Sequence, residues 1–324
     1  MTLSRISRAG AVLVVAVASA VAAVASAEAA HVRSHGAMPA TYVLPGSTLF
    51  PEGIGYDSVT GDYFVGALGG GAVLRGNVLR PEVSVFSGAG ADGRAAALGA
   101  RPNHGRVFVG CFCGKVWVYD QKSGKPLAVL NTGMKTSVMN DFAFLPNGTA
   151  FATDSVNPFL WRITSGPGGW KIEKWIDFTG TPVKYIKGFN IDGIVASADG
   201  RYLVLNHLML GTLYRIDVAS KASSEIMKTG GGGFALKNND AMELVGRTLY
   251  DVRNKNAQIA KIRLSADFST GTLVSVTRNP AFMFPTGIVA VGRRMLVLNS
   301  QLDKFGSKTA KPKLPFTVTN IARP

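Results

Sequence analysis

Four residues in this chain offer oxygen ligands at repeating places: Glu52 in PEGIGYD, Asn140 in MNDFAF, Asp192 in IDGIVASADGRYLV and Asp240 in NNDAMELVGRTLY. Each stands just before or within a short apolar strand, followed by a glycine-containing turn and a second strand. Glu52, Asn140, Asp192, Asp240 and Thr286 are separated by 88, 52, 48 and 46 residues, and Ala96 falls midway in the first interval. If the repeats surround an axis, these positions face one another across it. Three carboxylates about 4 Å apart at an effective dielectric near 20 then repel by roughly 4 kcal/mol per pair. A divalent cation relieves that conflict. Glu, Asn and two Asp without Cys or His form a hard-oxygen set suited to Ca²⁺. Each residue alone also fits a turn at a strand start; their common register is what suggests a ligand set.

The elements that must position them are short strands. Six segments repeat one pattern, beginning near residues 50, 93, 138, 189, 238 and 284. Most units add a third strand, such as KVWVYDQ or TLYRIDV, and a fourth, such as PEVSVFS, KPLAVLN or SSEIMKT. No stretch carries apolar residues at a helical period between caps. Four strands per repeat, six times, predict an all-β, six-bladed β-propeller. The last unit is short of strands. PFTVTNIAR supplies its third, and TYVLPG (41–46) is expected to supply its fourth, closing the ring by pairing the N- and C-terminal strands. Gly69–Gly71 and Gly230–Gly233 lack the Lys-Ser/Thr of a phosphate loop and read as flexible connections. Cys111 and Cys113 fall on one face of an extended segment. They could form a small disulfide or stay two thiols; small residues beside a turn is the preferred reading.

Residues 1–30 are a different material. Arg5 and Arg8 precede GAVLVVAVASAVAAVA, and Ala25-Ser26-Ala27 follows, which reads as a secretory signal. The expected organisation is therefore a signal peptide over 1–30, a flexible segment over 31–40 and the propeller over 41–324, with a secreted location. No other segment is apolar enough to span a membrane. The formal charge of the chain is +15. Loss of Arg5, Arg8 and Glu28 with the signal leaves +14. Such a surface suits an anionic cell-wall polymer or polysaccharide. Lys and Arg form no run of five, which argues against a nucleic-acid partner. A monomer acting on a small-molecule substrate is expected.

The segments PEGIGYD, MNDFAF, IDGIVASADGRYLV and NDAMELVGRTLY resemble the senescence marker protein-30/gluconolactonase-like superfamily, which includes calcium-dependent phosphotriesterases. The resemblance spans nearly all of residues 41–324. It implies a six-bladed propeller with a divalent metal, usually Ca²⁺, in the central channel. It places Glu52 on the family's glutamate ligand and Asn140 on an asparagine that binds metal or substrate. Asp240 matches a ligand that is also the proposed base or nucleophile, and so the catalytic candidate. Asp192 stands where the family commonly has asparagine, which adds a negative charge. Val138 stands where lactone-hydrolysing relatives often carry arginine, which argues against a sugar lactone. The reading is a secreted metal-dependent hydrolase of a lactone, ester or phosphoester. The alternative is a non-catalytic recognition or adhesion module with a structural metal. A strictosidine-synthase-like activity lacks a matching acid near Thr286. His207 and His104 read as structural and exposed, respectively.

The signal reading predicts cleavage after Ala27 or within the next few residues. N-terminal sequencing of protein recovered from culture supernatant checks this; an intact Met1 would refute it.

Overall fold

Alternation along each strand decides the architecture, because successive side chains leave opposite faces of a sheet. In Thr248–Arg253, Leu249 faces one neighbouring sheet while Tyr250 and Val252 face the other. A sheet apolar on both faces is stable only between two others. The computed structural model describes residues 37–229 and 236–324. The signal over 1–30, most of the 31–40 segment and the Gly230–Gly233 run lie outside the described residues. Unit Met38–Pro324 is a six-bladed β-propeller. Among the described residues the only helical elements are three 3₁₀ turns of three residues each.

Blade one holds β2 (Pro51–Tyr56), β3 (Asp62–Ala67), β4 (Val73–Asn77) and β5 (Arg80–Ser87). Blade two holds β6 (Ala100–Asn103), β7 (Arg106–Val109), β8 (Lys115–Asp120) and β9 (Pro126–Asn131). Blade three runs β10 (Met139–Phe144), β11 (Ala150–Asp154), β12 (Phe159–Gly166) and β13 (Gly169–Asp177). Blade four runs β14 (Ile191–Ala196), β15 (Tyr202–His207), β16 (Thr212–Asp217) and β17 (Ser223–Glu225). Blade five contains β19 (Asn239–Val245), β20 (Thr248–Arg253), β21 (Gln258–Leu264) and β22 (Thr270–Arg278). Blade six contains β23 (Pro285–Val291), β24 (Arg294–Asn299), β25 (Thr317–Ala322) and, from the chain's other end, β1 (Thr41–Val43). Six apolar clusters fill the six seams between blades.

The ring closes as the sequence predicts. β1 pairs antiparallel with β25, Tyr42 opposite Val318. Tyr42 is fully buried, and its hydroxyl donates to the Val78 carbonyl of blade one at 2.6 Å. The closing segment begins earlier than residue 41, because the Asn320 amide and side chain donate to the carbonyls of Ala40 and Pro39. One strand departs from expectation. SSEIMKT divides at Ile226, which is buried in the seam between blades four and five. Its second half, β18 (Met227–Thr229), adds in parallel to β22 at the outer edge of blade five. This covers an edge that would otherwise offer unpaired backbone groups. Cys111 and Cys113 are joined by a disulfide, with Cα atoms 5.3 Å apart.

Closure makes the N-terminal strand indispensable. Tyr42→Ala is expected to cost about 3–5 kcal/mol, the range for truncating a buried aromatic. Val59→Ala, at an exposed turn of the same seam's blade, is expected to cost less than about 0.5 kcal/mol. Urea unfolding of both variants checks the contrast; equal midpoints would contradict it.

Candidate metal centre

The inner strand of a blade meets its neighbour with a recurrent irregularity. In blade one, Pro51 pairs with Ala67 and Ile54 with Val65, so Glu52 and Gly53 together oppose Gly66. The same two-against-one step holds Asn140-Asp141, Asp192-Gly193 and Asp240-Ala241. Such bulges re-aim side chains. The four candidate ligands are thus the first residues of four bulges at one end of the channel. In blade two, Ala100 pairs with Val109 as Ile54 pairs with Val65, so the equivalent of Glu52 is Leu98, two residues beyond Ala96. Thr286 holds the position in blade six, where its hydroxyl donates to the Glu52 carbonyl at 2.6 Å.

The next layer is nearly bare. A Cβ on Gly53 would lie 2.7 Å from the Gly99 Cα, and one on Gly193 2.7 Å from the Asp240 carbonyl oxygen. The absence of side chains there lets inner strands approach closely enough for bonds between blades. The Gly99 amide donates to the Asn140 carbonyl at 2.9 Å, and the Thr153 hydroxyl to the Asp192 carbonyl at 2.7 Å. Asn206 bridges Gly193 N–H and the Asp240 carbonyl. These bonds occupy the carbonyls of the ligand residues and fix where their side chains begin.

Glu52, Asp192 and Asp240 converge: one carboxylate oxygen from each lies within 4.8 Å of the others. All three are buried. Asn140 lines the same space, its Nδ2 donating to the Ser155 hydroxyl at 3.0 Å. Asp240 is held by Asn254 Nδ2 at 2.8 Å and the Ala241 amide at 3.1 Å. Among the described residues no protein donor satisfies the Glu52 carboxylate. Burial, then the charge of Asp192, pushes the Glu52 carboxyl well above its ordinary range. Burial and Asp240 do the same to Asp192, and burial and Glu52 to Asp240. The space they enclose is ≈ 10 Å³, the room of one water or bare ion. The donor set and that size fit a hard divalent cation.

Two charged residues beneath the trio were not foreseen. Arg101 grips Asp141 through two bonds of 2.7 Å, and both side chains are nearly buried. Burial opposes the Arg101 charge, but Asp141 and the other acids hold it protonated. Glu243 occupies the same inner-strand layer as Arg101, and burial raises its carboxyl to about 7. The equivalent residues in other blades are Gly55, Ala143, Val195 and Val289. That departure from small apolar residues was the available signal, and misplacing blade two's register hid it. His207 does not line the acid cluster. It is buried, its Nδ1 accepts from the Leu210 amide at 3.2 Å, and burial lowers its pKa to about 4.

No protein-family profile matches the sequence, and no curated protein matches it. Solved structures do. The major allergen Mala s 1 of Malassezia sympodialis shares 13% identity over 88% of this chain and 96% of its own, with a TM-score of 0.63. A calcium-binding protein, regucalcin, from Agrobacterium tumefaciens shares 14% over 87% and 92%, at 0.62. A luciferin-regenerating enzyme shares 13% over 88% and 95%, at 0.61. The chain therefore shares its β-propeller fold with these proteins. At these identities the likeness establishes the fold alone.

The raised carboxyl pKa values have a signed consequence. A carboxyl whose folded pKa lies above its unfolded value favours the fold while protonated and loses that contribution as pH rises through the folded pKa. Metal-free protein should therefore melt at lower temperature as pH climbs from 5 to 8. Asp192→Asn should remove much of that slope and stabilise the metal-free fold at pH 8 by roughly 1–3 kcal/mol. Thermal melts in chelator across this range check both; a wild-type melting temperature that rises with pH would contradict them.

Proposed function

We propose that this chain is a member of the senescence marker protein-30/gluconolactonase-like superfamily, exported from its cell. It binds a divalent cation, Ca²⁺, through Glu52, Asp192, Asp240 and Asn140. It uses that site to hydrolyse a lactone, ester or phosphoester. The observation that carries the reading is the convergence of three buried carboxylates from three blades within 4.8 Å. The nearby Arg101 and the hydrogen bonds to Asp240 offset only part of their mutual repulsion, and burial still drives all three carboxyls well above their ordinary range. The calcium-binding character of the Agrobacterium regucalcin supports the choice of ion.

When bound, the ion supplies a Lewis acid toward a carbonyl or phosphoryl oxygen. The protein's own part is orientation and proton handling. Asn254 and the Ala241 amide fix both oxygens of Asp240, so its carboxylate meets the mouth in one orientation. Asp240 then serves as base or nucleophile. Arg101 neutralises Asp141 and keeps a fourth acid from competing for the ion. Val138 is buried and gives no cation to a polyhydroxylated substrate at the mouth. Apolar or phosphoryl esters suit it better than sugar lactones.

A second reading rests on the size of the space beside the acids. At ≈ 10 Å³ it admits an ion and no organic molecule. On this reading the ion braces the channel of a non-catalytic recognition module.

Calorimetric Ca²⁺ titration, followed by lactone, aryl-ester and phosphotriester panels, separates the two. Wild type should bind Ca²⁺, and Glu52→Gln should weaken binding by roughly tenfold or more. Asp240→Asn should lower turnover by roughly 100-fold or more while the fold persists. Binding without turnover on any panel would favour the recognition module. No binding at millimolar Ca²⁺ would end both readings.

A further inference from the structure

Exposed apolar residues are not spread evenly over the ring. Each blade's inner strand starts at the ligand end of the channel, and strands alternate in direction. Segments joining second to third strands, and fourth strands to the next blade, therefore all lie at that end. Among the described residues every exposed phenylalanine is there: Phe112, Phe189 and Phe305, at 43%, 42% and 49% exposure. Ile186, Met209 and Leu314 are exposed in the same set of connections, at 43%, 48% and 48%. Phe112, between the bridged cysteines, meets Phe189 of the blade-three to blade-four connection edge-on at 6.1 Å. Phe305 rests edge-on against Phe50, two residues before Glu52, at 5.1 Å. The opposite end exposes only Val59 and Leu79 in its turns. Val156, at 37%, is exposed in a further connection at the ligand end, and the remaining exposed large apolar residues lie on strands at the blades' outer edges.

Charge follows the same division. The described connections at the ligand end carry nine lysines and two aspartates, Asp92 and Asp303. Lys184 and Lys187 flank Ile186, and Lys308, Lys311 and Lys313 lead to Leu314. Lys135, Lys237 and Lys255 stand exposed on three further connections. Turns at the opposite end carry Lys122, Lys125, Arg201, Lys221, Arg247 and Arg293 against Asp57, Asp199 and Asp267, with no aromatic exposed among them.

We propose that the ligand end of the propeller docks on an anionic lipid surface, its phenylalanines entering the interface and its lysines pairing with headgroup phosphates. Apolar side chains set among lysines are the chemistry that a lipid–water boundary rewards. A purely polar polyanion would use the lysines and leave three exposed phenylalanines unexplained. The docked end also holds the acid trio, so the channel mouth would open toward the interface. Such docking requires neither the ion nor a reaction and is independent of the proposed activity.

The test is flotation of the full chain with two vesicle types, pure phosphatidylcholine and phosphatidylcholine containing phosphatidylglycerol. Every variant carries the same N-terminus, so differences among variants report this face alone. Wild type should float with the anionic vesicles. Lys308→Gln/Lys311→Gln/Lys313→Gln should weaken that binding by roughly a hundredfold. Phe112→Ser/Phe189→Ser should weaken it by roughly tenfold or more. Lys122→Gln/Lys125→Gln, on the opposite end, should leave it unchanged. Thermal melts confirm that each variant folds, and Phe305→Ser serves if the Phe112 variant does not. No anionic-vesicle binding, or binding untouched by the phenylalanine variants, would overturn the proposal. Retention on an anionic polysaccharide that depends on the lysines alone would instead favour a polymer partner.

Discussion

The mutual repulsion of Glu52, Asp192 and Asp240 is the constraint around which the inner ring is built. Nothing in a propeller requires three buried acids at one mouth, and each raises the others' affinity for protons. The structure nonetheless commits several devices to holding them together. Bulges turn the side chains inward, and a nearly bare glycine layer brings the strands close. Thr286, Thr153 and Asn206 tie the ligand residues' carbonyls to neighbouring blades. Arg101 occupies the one additional carboxylate of that layer, Asp141. An arrangement of this kind could hold a positive ion.

Everything outside the channel serves to keep that ring closed. The seams are apolar, and each strand contributes alternate residues to two of them. Full burial of a side chain such as Ile54 or Leu205 contributes about 1.5–3 kcal/mol. The final seam depends on β1, which comes from the far end of the chain. Closure by β1 therefore also keeps together the inner strands that carry the acid trio. The connections at the ligand end share both duties, Asn254 holding Asp240 and Leu44, Leu49 and Phe316 packing the closing seam. Their solvent-facing positions carry the phenylalanines and lysines that the core does not need.

Much of this was legible in the sequence. Strand alternation and the spacing of Gly turns identify six blades, because apolar periodicity is a local property. The four candidate ligands were visible because an acid or amide side chain recurs at one register in four blades. Blade two broke the pattern. Its GRAAALGARPNHG run has no polar anchor, so Ala96 was chosen where the pairing places Leu98. That slip of two residues concealed Arg101, whose side chain reaches Asp141 in the next blade. Long-range pairing of this kind has no local signature. The crossing of β18 to blade five was equally hidden, since SSEIMKT alternates as well in one sheet as in two. The disulfide needed the turn geometry that brings Cys111 and Cys113 together.

The central claim is that the acid trio holds a divalent cation. Elemental analysis of protein purified without chelator, stripped, and then re-equilibrated with millimolar Ca²⁺ addresses it most directly. About one divalent ion per chain is expected after re-equilibration, as for a single hard-oxygen site. Glu52→Gln/Asp192→Asn should lose that ion at the same Ca²⁺ concentration. A wild-type protein that retains no divalent ion under these conditions would contradict it.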